Sequence, residues 1–244
     1  LLRSLFHHND KKEFHSTLEE LISNSTCNAL IGSIVSAAEL KFGRSYKNFF
    51  CQRPLDYVES YSILTDTEFT KAFLEPVTLI LRNSDKRHQN LLINGEQTAG
   101  NLFSNFPVLL EQAHAILTDS INRYFSKFNR SNEGFIKNWP AAWDIHAWLI
   151  NMRSGGSLGP HIHERGWLSG SLYINVPPKL KNDNGNLVLS TTDDRSAAKE
   201  TSKQRKIISV STGLLCLFPA SLYHYTIPFD SEQNRVVLAF DIIP

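Results

Sequence analysis

The first half of the chain places apolar residues at helical spacing. Apolar side chains recur every three or four residues over 12–42, 68–81 and 106–128, which is typical of amphipathic helices that bury one face. The segment 106–128 is the longest, and its apolar stripe needs a sheet or another helix to cover it. Residues 90–98 carry the composition of a strand. We therefore predict helices over the first three ranges and a strand over the last.

Residues 12–42 divide into two short helices, which Gly43 ends and Pro54 separates from the rest of the chain. We predict that residues 1–53 form a helical extension and that residues 54–244 form the main domain. The extension is either a pair of helices packed on that domain or the last unit of a helical repeat array. Because the chain begins without an initiator methionine, we expect it to be part of a longer protein.

The second half of the chain consists of short apolar runs. After a predicted loop at 132–140, Gly, Pro, Asn and Asp separate runs rich in β-branched and aromatic residues. We predict seven strands, at 144–152, 170–176, 186–189, 207–210, 214–218, 224–227 and 235–243. Strands at this spacing favour a sandwich or jelly roll with the long helices packed outside, and hence an α+β fold. The polar segment 190–206 predicts a mobile loop or a lid.

Composition excludes several classes of protein. Hydrophobic residues make up 41% and charged residues 20%, as in an ordinary globular domain. The net charge of +1 gives no basic surface, so we expect no nucleic-acid partner. Cys27, Cys51 and Cys216 are odd in number and far apart, which predicts neither disulfides nor a zinc knuckle and favours a reducing, cytoplasmic compartment. No apolar run is long enough to span a membrane, so no membrane partner is expected.

Two histidines follow a glycine-rich segment near the middle of the predicted strands. Residues two apart in a strand point to the same side, so His161 and His163 can hold one ion while Ile162 faces the opposite layer. Gly and Pro residues at 155–160 predict a tight turn that delivers them. The alternative is that one of the two is a surface or hydrogen-bonded histidine, because so short a motif does not decide between these interpretations.

Two residues further along the chain extend this candidate site. His224 lies between a strand that turns at Pro219 and the next predicted strand, and a jelly roll brings such distant strands face to face. Arg235 begins the otherwise apolar strand VVLAFDII. A guanidinium there is costly to bury without a partner, and its planar fork suits a carboxylate. The alternative for Arg235 is a residue at the rim of the sheet whose charge reaches water.

Together these segments resemble a known family. They are GGSLGPHIH at 155–163, SLYINVPP at 171–178, NGNLVLS at 184–190, STGLLCLFPASLYH at 211–224 and RVVLAF at 235–240. They resemble the double-stranded β-helix core of the Fe(II)/2-oxoglutarate-dependent oxygenases, and are most similar to an uncharacterised oxygenase group with an H-x-H motif followed by S-G-x-x-Y. The resemblance covers about residues 90–244, because GEQTAGNLF at 95–103 also looks like that group.

The resemblance implies two cofactors, Fe(II) and 2-oxoglutarate, and a role for each matching residue. His161 and His224 match iron ligands, Arg235 matches the residue that binds the 5-carboxylate of 2-oxoglutarate, and Tyr173 is expected in the cosubstrate pocket. His163 stands where the family usually has Asp or Glu. Three interpretations are open: three histidines hold the metal, water takes the place of His163, or Glu164 reaches the metal through a bulge.

The function that the resemblance implies is hydroxylation of a small molecule or a protein side chain, with release of succinate and CO₂. Two other hypotheses stay open: a cupin-like enzyme with a three-histidine iron site and no 2-oxoglutarate, and a non-catalytic jelly-roll binding module. Trp148, Trp167 and Tyr223 either line the mouth of the site or belong to the core. The sequence indicates neither the substrate nor the oligomeric state.

Overall fold

Helices dominate the first 137 residues of the chain. The computed structural model describes residues 1–24, 27–63, 66–181, 183–193 and 204–244. Its α-helices are α1 (Leu2–His7), α2 (Lys11–Ser23), α3 (Ala29–Phe42), α4 (Asp66–Phe69), α5 (Glu75–Asn83), α6 (Leu102–Asn105), α7 (Glu111–Phe128) and α8 (Gly134–Lys137). A 3₁₀ turn spans Pro54–Tyr57, and a π-helical turn at Thr70–Leu74 joins α4 to α5.

Capping residues fix the ends of the helices in the N-terminal segment. Asp10 caps α2 by accepting from the Glu13 amide, and Asn28 caps α3 by accepting from the Ile31 amide at 2.8 Å. Gly43 ends α3 with a φ of 69°, which confirms the predicted stop. The helix α1 was not predicted. Apolar side chains of α1, α2 and α3 form a small core of their own.

Two proline residues explain where the other helices differ from the predictions. The helix predicted over 106–128 begins only at Glu111, because Phe106 precedes Pro107 and has a non-helical φ of −134°. The helix predicted over 68–81 is present without a break in the chain from α4 to α5, but it contains the π-helical turn just before Pro76. A proline ring crowds the preceding turn, and a wider π turn relieves that crowding.

The strands form two antiparallel sheets. They are β1 (Glu59–Ser62), β2 (Lys86–Arg87), β3 (Leu92–Thr98), β4 (Asp144–Leu158), β5 (Leu168–Asn175), β6 (Leu187–Ser190), β7 (Arg205–Ile208), β8 (Leu214–Pro219), β9 (Tyr223–Thr226) and β10 (Arg235–Ile243). The large sheet has the order β1-β8-β5-β10-β4-β3-β2, and the small sheet has the order β7-β6-β9. The seven predicted strands are all present.

The large sheet has one face against the helices and the other against the small sheet. Along β10, Leu238 and Phe240 pack with residues of α5 and α7 in the main core. Val237 points the other way and packs with Leu187 and Leu189 of β6 in a second core. This arrangement confirms the predicted α+β fold, with a jelly roll that is buttressed by helices.

The glycine-rich segment before the two histidines is part of a strand rather than a free turn. Residue Leu92 of β3 pairs with Leu158, but Gly95 pairs with Met152, so residues 153–156 bulge out of β4. Gly155 lies in this bulge with a φ of 71°, a conformation that glycine adopts at little cost. The prediction of a tight turn at 155–160 was therefore wrong, because one bent strand leads to the histidines instead.

Two other predictions have a definite outcome. The loop predicted at 132–140 contains the short helix α8, whereas residues 194–203 of the loop predicted at 190–206 lie outside the described residues. None of the helices in the described part of the chain is long and apolar enough to cross a membrane. All three cysteines are free, and burial raises the pKa of the Cys216 thiol to about 12.

The close contact between β5 and β10 gives a test of the sheet. A Cβ built at Gly170 would lie 2.1 Å from the ring of the fully buried Phe240. We expect Gly170→Ala to lower the free energy of unfolding by about 2–3 kcal/mol in urea titrations, since the core is overpacked. Adding Phe240→Leu should recover part of that loss. If Gly170→Ala unfolds at the same urea concentration as wild type, the contact is wrong.

Candidate functional site

His161 and His224 are held side by side by their own backbones. The His161 amide donates to the His224 carbonyl at 3.2 Å, and the His224 amide donates to the His161 carbonyl at 2.9 Å. His224 belongs to β9 of the small sheet, so this isolated bridge attaches the chain after β4 to the edge of that sheet. The fold thereby fixes the distance between two imidazoles that are 63 residues apart.

His163 completes a cluster of three imidazoles. The ligand nitrogens of His161, His163 and His224 all lie within 4.8 Å of one another. Each Nδ1 has its own hydrogen-bond acceptor, which is the Gly159 carbonyl for His161 at 2.8 Å, an Asp241 carboxylate oxygen for His163 at 2.6 Å, and the Leu222 carbonyl for His224 at 3.3 Å. Each acceptor favours the tautomer in which Nδ1 donates, and that tautomer leaves the Nε2 lone pair for a metal ion.

The local backbone does not follow the predicted strand alternation. His161 forms only the isolated bridge, and His163 begins a turn that closes with a hydrogen bond from the Gly166 amide to the His163 carbonyl. Ile162 lines the same cavity as the two histidines, so the prediction that it faces the opposite layer was wrong. An irregular segment brings the two side chains together where a regular strand was expected.

Burial keeps two of the three imidazoles neutral. Burial, and then the nearby His163, lower the pKa of His161 to about 4. Burial, and then both neighbouring histidines, hold the pKa of His224 well below its usual range. A cation in a dry site with two other imidazoles is unfavourable unless it is a metal ion that the lone pairs coordinate.

A buried carboxylate lies behind the cluster. Asp241 of β10 is 6% exposed, and Ser169 lies directly opposite on β5. The Ser169 hydroxyl donates to the same carboxylate oxygen as His163, at 2.7 Å. Ser169 and Asp241 were not among the predicted site residues. A signal for Asp241 was present, since it is the one charged residue between Val236 and Ile243 in an otherwise apolar strand.

Glu164 points away from the cluster. Its carboxylate pairs with the Arg3 guanidinium of α1, and both side chains are substantially exposed. The three-histidine group contains no oxygen of Glu164. In this conformation Glu164 is held by the N-terminal helix instead of reaching the position of a third ligand.

A cavity of about 420 Å³ connects the histidines to Arg235. Arg235 is 2% exposed, and it forms no ion pair within the described part of the chain. Its Nε donates to the Gly185 carbonyl at 3.1 Å, and its guanidinium carbon lies 5.0 Å from the centre of the Tyr173 ring. Burial lowers the pKa of Arg235 from its usual value, but an arginine stays charged. The cavity therefore has a buried cation with no anionic partner among the residues described above.

The mouth of the cavity is polar and carries no acid. Its wall there is formed by Arg87, Gln89, Gln97, His146 and Trp148, and the described residues that line the whole cavity include no Asp or Glu. The sequence indicated only Trp148 among these residues. Arg87 and Gln97 lie on β2 and β3 near the edge of the large sheet, Gln89 lies in the loop between those strands, and His146 lies on β4. Exposed polar residues are ordinary at such positions and give no distinguishing signal.

The other two aromatic candidates do not line the cavity. Trp167 packs in the main core and donates its indole hydrogen to the Phe135 carbonyl at 2.7 Å. Tyr223 is buried and faces Ser33 and Arg3 of the N-terminal helices. The sequence did not decide whether these two residues line the mouth of the site or belong to the core. In the structure, neither lines the mouth.

The fold is shared with solved 2-oxoglutarate oxygenases at low sequence identity. A prolyl-4-hydroxylase from Pseudomonas putida is 12% identical, with a TM-score of 0.54 over 76% of this chain and 91% of that one. A prolyl hydroxylase from Trichoplax adhaerens, in complex with a hypoxia inducible factor peptide fragment, is 13% identical with a TM-score of 0.54, over 96% and 93%. HygX from Streptomyces hygroscopicus, with nickel, 2-oxoglutarate and hygromycin B bound, is 12% identical with a TM-score of 0.52, over 77% and 82%.

Comparison of the sequence with protein families gives a match over the region that contains the candidate site. No curated protein matches the chain. Residues 146–241 match the family described as "Putative 2OG-Fe(II) oxygenase", and this range contains the three clustered histidines and Arg235. Over residues 146–241, the chain is therefore similar to a family of 2OG-Fe(II) oxygenases.

Proposed function

We propose that this protein is an Fe(II)/2-oxoglutarate-dependent oxygenase that hydroxylates its substrate at a three-histidine iron centre, with release of succinate and CO₂ from 2-oxoglutarate. The observation that carries the proposal is one cavity whose lining includes a cluster of three imidazoles and a buried guanidinium that has no ion-pair partner among the described residues. The imidazole cluster can bind a metal ion, and the guanidinium can bind one end of a dicarboxylate.

The donor set fits Fe(II). Imidazole nitrogen is a suitable ligand for iron, and three ligands on one side leave open positions for a cosubstrate and O₂. His161 and His224 are neutral at physiological pH because burial lowers their pKa values, so protons do not compete with the ion. We propose His161, His163 and His224 as the ligands, and neither water nor Glu164 in place of His163.

The far wall of the cavity fits 2-oxoglutarate. Arg235 is fully charged and buried, and its hydrogen bonds in the described part of the chain leave N–H groups free for a carboxylate. We propose that Arg235 binds the 5-carboxylate in a bidentate manner. Tyr173 lies beside the guanidinium and hydrogen-bonds to it, so it shapes the pocket and holds the fork in place.

When bound, iron and 2-oxoglutarate supply the oxidising chemistry that converts a C–H bond to an alcohol. The protein orients the cosubstrate and the metal and excludes water from the cavity. Arg235 fixes one end of the cosubstrate, the three Nε2 atoms fix the metal, and apolar side chains between them, Leu187, Val237 and Ala239, keep water from the cavity wall.

The mouth favours a substrate that carries hydrogen-bond acceptors. Arg87, Gln97 and His146 offer donors there, and no described residue of the cavity wall offers a carboxylate to a cationic substrate. The neighbouring structures hold a peptide fragment in one case and hygromycin B in another, so the fold admits peptides and small molecules. We propose a neutral or anionic substrate over a cationic one.

The test of the function is an anaerobic titration. Adding Fe(II) and then 2-oxoglutarate should give the weak visible charge-transfer band of the chelate, and admitting O₂ should release succinate. Peptide and metabolite pools separated by charge then show which class accelerates succinate release. A cupin-like enzyme that does not use 2-oxoglutarate would bind Fe(II) but give neither the band nor succinate, and a binding module would give no metal binding.

We also propose that residues 1–53 form a helical extension that braces the site from outside. Arg3 pairs with Glu164 next to His163, and Ser33 hydrogen-bonds to Tyr223 next to His224. The contacts thus reach the chain beside two of the three histidines. The free cysteines are the basis for proposing a reducing, cytoplasmic compartment.

A further inference from the structure

The family resemblance implies a carboxylate at position 163, and the chain has a histidine there. The site would then bind a divalent ion with three neutral ligands and no compensating charge nearby. Asp241 changes this picture, because its carboxylate oxygen lies 2.6 Å from Nδ1 of His163, on the side of the ring away from the cluster.

We infer that Asp241 is a positioning residue that supplies, through His163, the negative charge that the ligand position itself lacks. The inference rests on the proposed metal centre. The His163 ring would connect the carboxylate to the metal, because its Nδ1 donates to Asp241 and its Nε2 would be the atom that holds the ion. A carboxylate that accepts from a ligand imidazole fixes the tautomer and increases electron donation from the other nitrogen.

The arrangement around Asp241 is built rather than incidental. Burying a carboxylate is costly unless it is paired and hydrogen-bonded. In the described part of the chain its partners are His163 and Ser169, and Ser169 is fixed opposite it by the register of β5 and β10. A Cβ at Gly166 would lie 3.1 Å from the carboxylate, so a glycine leaves it room at the turn that carries His163.

The pleat of β10 explains how one strand serves both ends of the site. Arg235, Val237 and Ala239 line the cavity, and Asp241 is the next residue on that face. The alternate residues, such as Leu238 and Phe240, pack in the main core. Arg235 and Asp241 are therefore roughly 20 Å apart along one face, at about 3.3 Å per residue. The strand presents a cation for the cosubstrate at one end and an anion for the metal site at the other.

Two variants separate charge from hydrogen bonding. Asp241→Asn keeps an oxygen that accepts from His163 and removes the charge, so we expect Co(II) and Fe(II) to bind about 10–100-fold more weakly, as for other groups behind a metal ligand. Ser169→Ala removes one donor to the carboxylate and should weaken binding only a few-fold. The matched control is Asp144→Asn, an exposed residue at the start of β4, which should bind as wild type does.

A charge-swap pair tests the inference independently of folding defects in any single variant. His163→Asp alone makes two carboxylates face each other and should bind Co(II) poorly. In the double variant His163→Asp with Asp241→Asn, the amide of residue 241 can donate to the ligand carboxylate. The Co(II) affinity of this double variant should be at least 10-fold higher than that of His163→Asp alone. The readouts are anaerobic metal titration and the visible d–d bands of bound Co(II), both without 2-oxoglutarate or turnover.

The outcomes distinguish the two proposals. If wild type binds neither Co(II) nor Fe(II), the metal centre itself is wrong. If wild type binds metal but Asp241→Asn is folded and binds equally well, Asp241 is only a structural residue and the inference fails. The inference fails as well if His163→Asp with Asp241→Asn binds no better than His163→Asp alone.

Discussion

Replacing Arg235 with methionine should weaken 2-oxoglutarate binding by about 30-fold or more and leave metal binding almost unchanged. The side chain is buried and forms no ion pair within the described residues, so the dicarboxylate is the anion it can pair with. Removing one partner of a buried, hydrogen-bonded charge pair costs on the order of 2–5 kcal/mol, which is about 30-fold to several thousand-fold in Kd. Methionine is chosen because it fills a similar volume and adds no charge.

The measurement for Arg235→Met is the anaerobic titration of the Fe(II)-loaded protein, followed by the charge-transfer band and by calorimetry. Fe(II) affinity should stay within about 3-fold of wild type, because Arg235 is not part of the histidine cluster. Identical 2-oxoglutarate titration curves for wild type and Arg235→Met would contradict the proposed role.

Arg235→Lys is the matched control for charge. A lysine keeps the cation but loses the planar fork and the Nε donor to the Gly185 carbonyl. We expect its 2-oxoglutarate affinity to lie between those of wild type and Arg235→Met.

Removing the charge should also relieve a buried cation that has no ion-pair partner among the described residues. Without cosubstrate, Arg235→Met should therefore melt at or above the wild-type temperature. Saturating 2-oxoglutarate should raise the melting temperature of wild type more than that of Arg235→Lys, and that of Arg235→Met least.

Most of the fold is predictable from the sequence because its periodicities are strong. The seven strands of the second half have β-branched or aromatic runs between turn residues, and their alternation sets which residues face the cavity. Along β10, for example, the spacing places Arg235 and Asp241 on one face and Phe240 on the other. That same alternation would have identified Asp241 as a site residue, since an acid on the buried face of an apolar strand needs a partner.

Other features depend on contacts that no local pattern contains. The bulge at 153–156 arises where β4 leaves the register of β3, and the isolated bridge between His161 and His224 joins segments from two different sheets. Strand geometry alone predicted that His161 and His163 would converge, but it predicted the wrong side for Ile162. The polar residues at the mouth, such as Arg87 and Gln97, look like any exposed edge of a sheet until the cavity is known.

The cluster of histidines gives the second large prediction. His161→Ala and His224→Ala should each weaken Fe(II) binding on the order of 100-fold or more, because three ligands share the binding free energy and neither site has a spare donor among the described residues. Succinate formation should fall to background in both variants. His163→Ala should weaken Fe(II) binding by as much if all three imidazoles bind the metal. The loss of affinity should be far smaller if water normally occupies the position of His163.

His146→Ala is the matched control, since this imidazole lines the same cavity but lies outside the cluster. Its Fe(II) affinity should stay within about 3-fold of wild type, and any loss of succinate formation should come from the substrate side. Folding is checked separately by melting each apo protein, because His224 is buried and its removal leaves a small cavity. Equal Fe(II) titration curves for His146→Ala and His161→Ala would exclude the three-histidine centre, whereas a difference of two orders of magnitude would tie metal binding to the imidazoles whose Nδ1 atoms the fold holds in place.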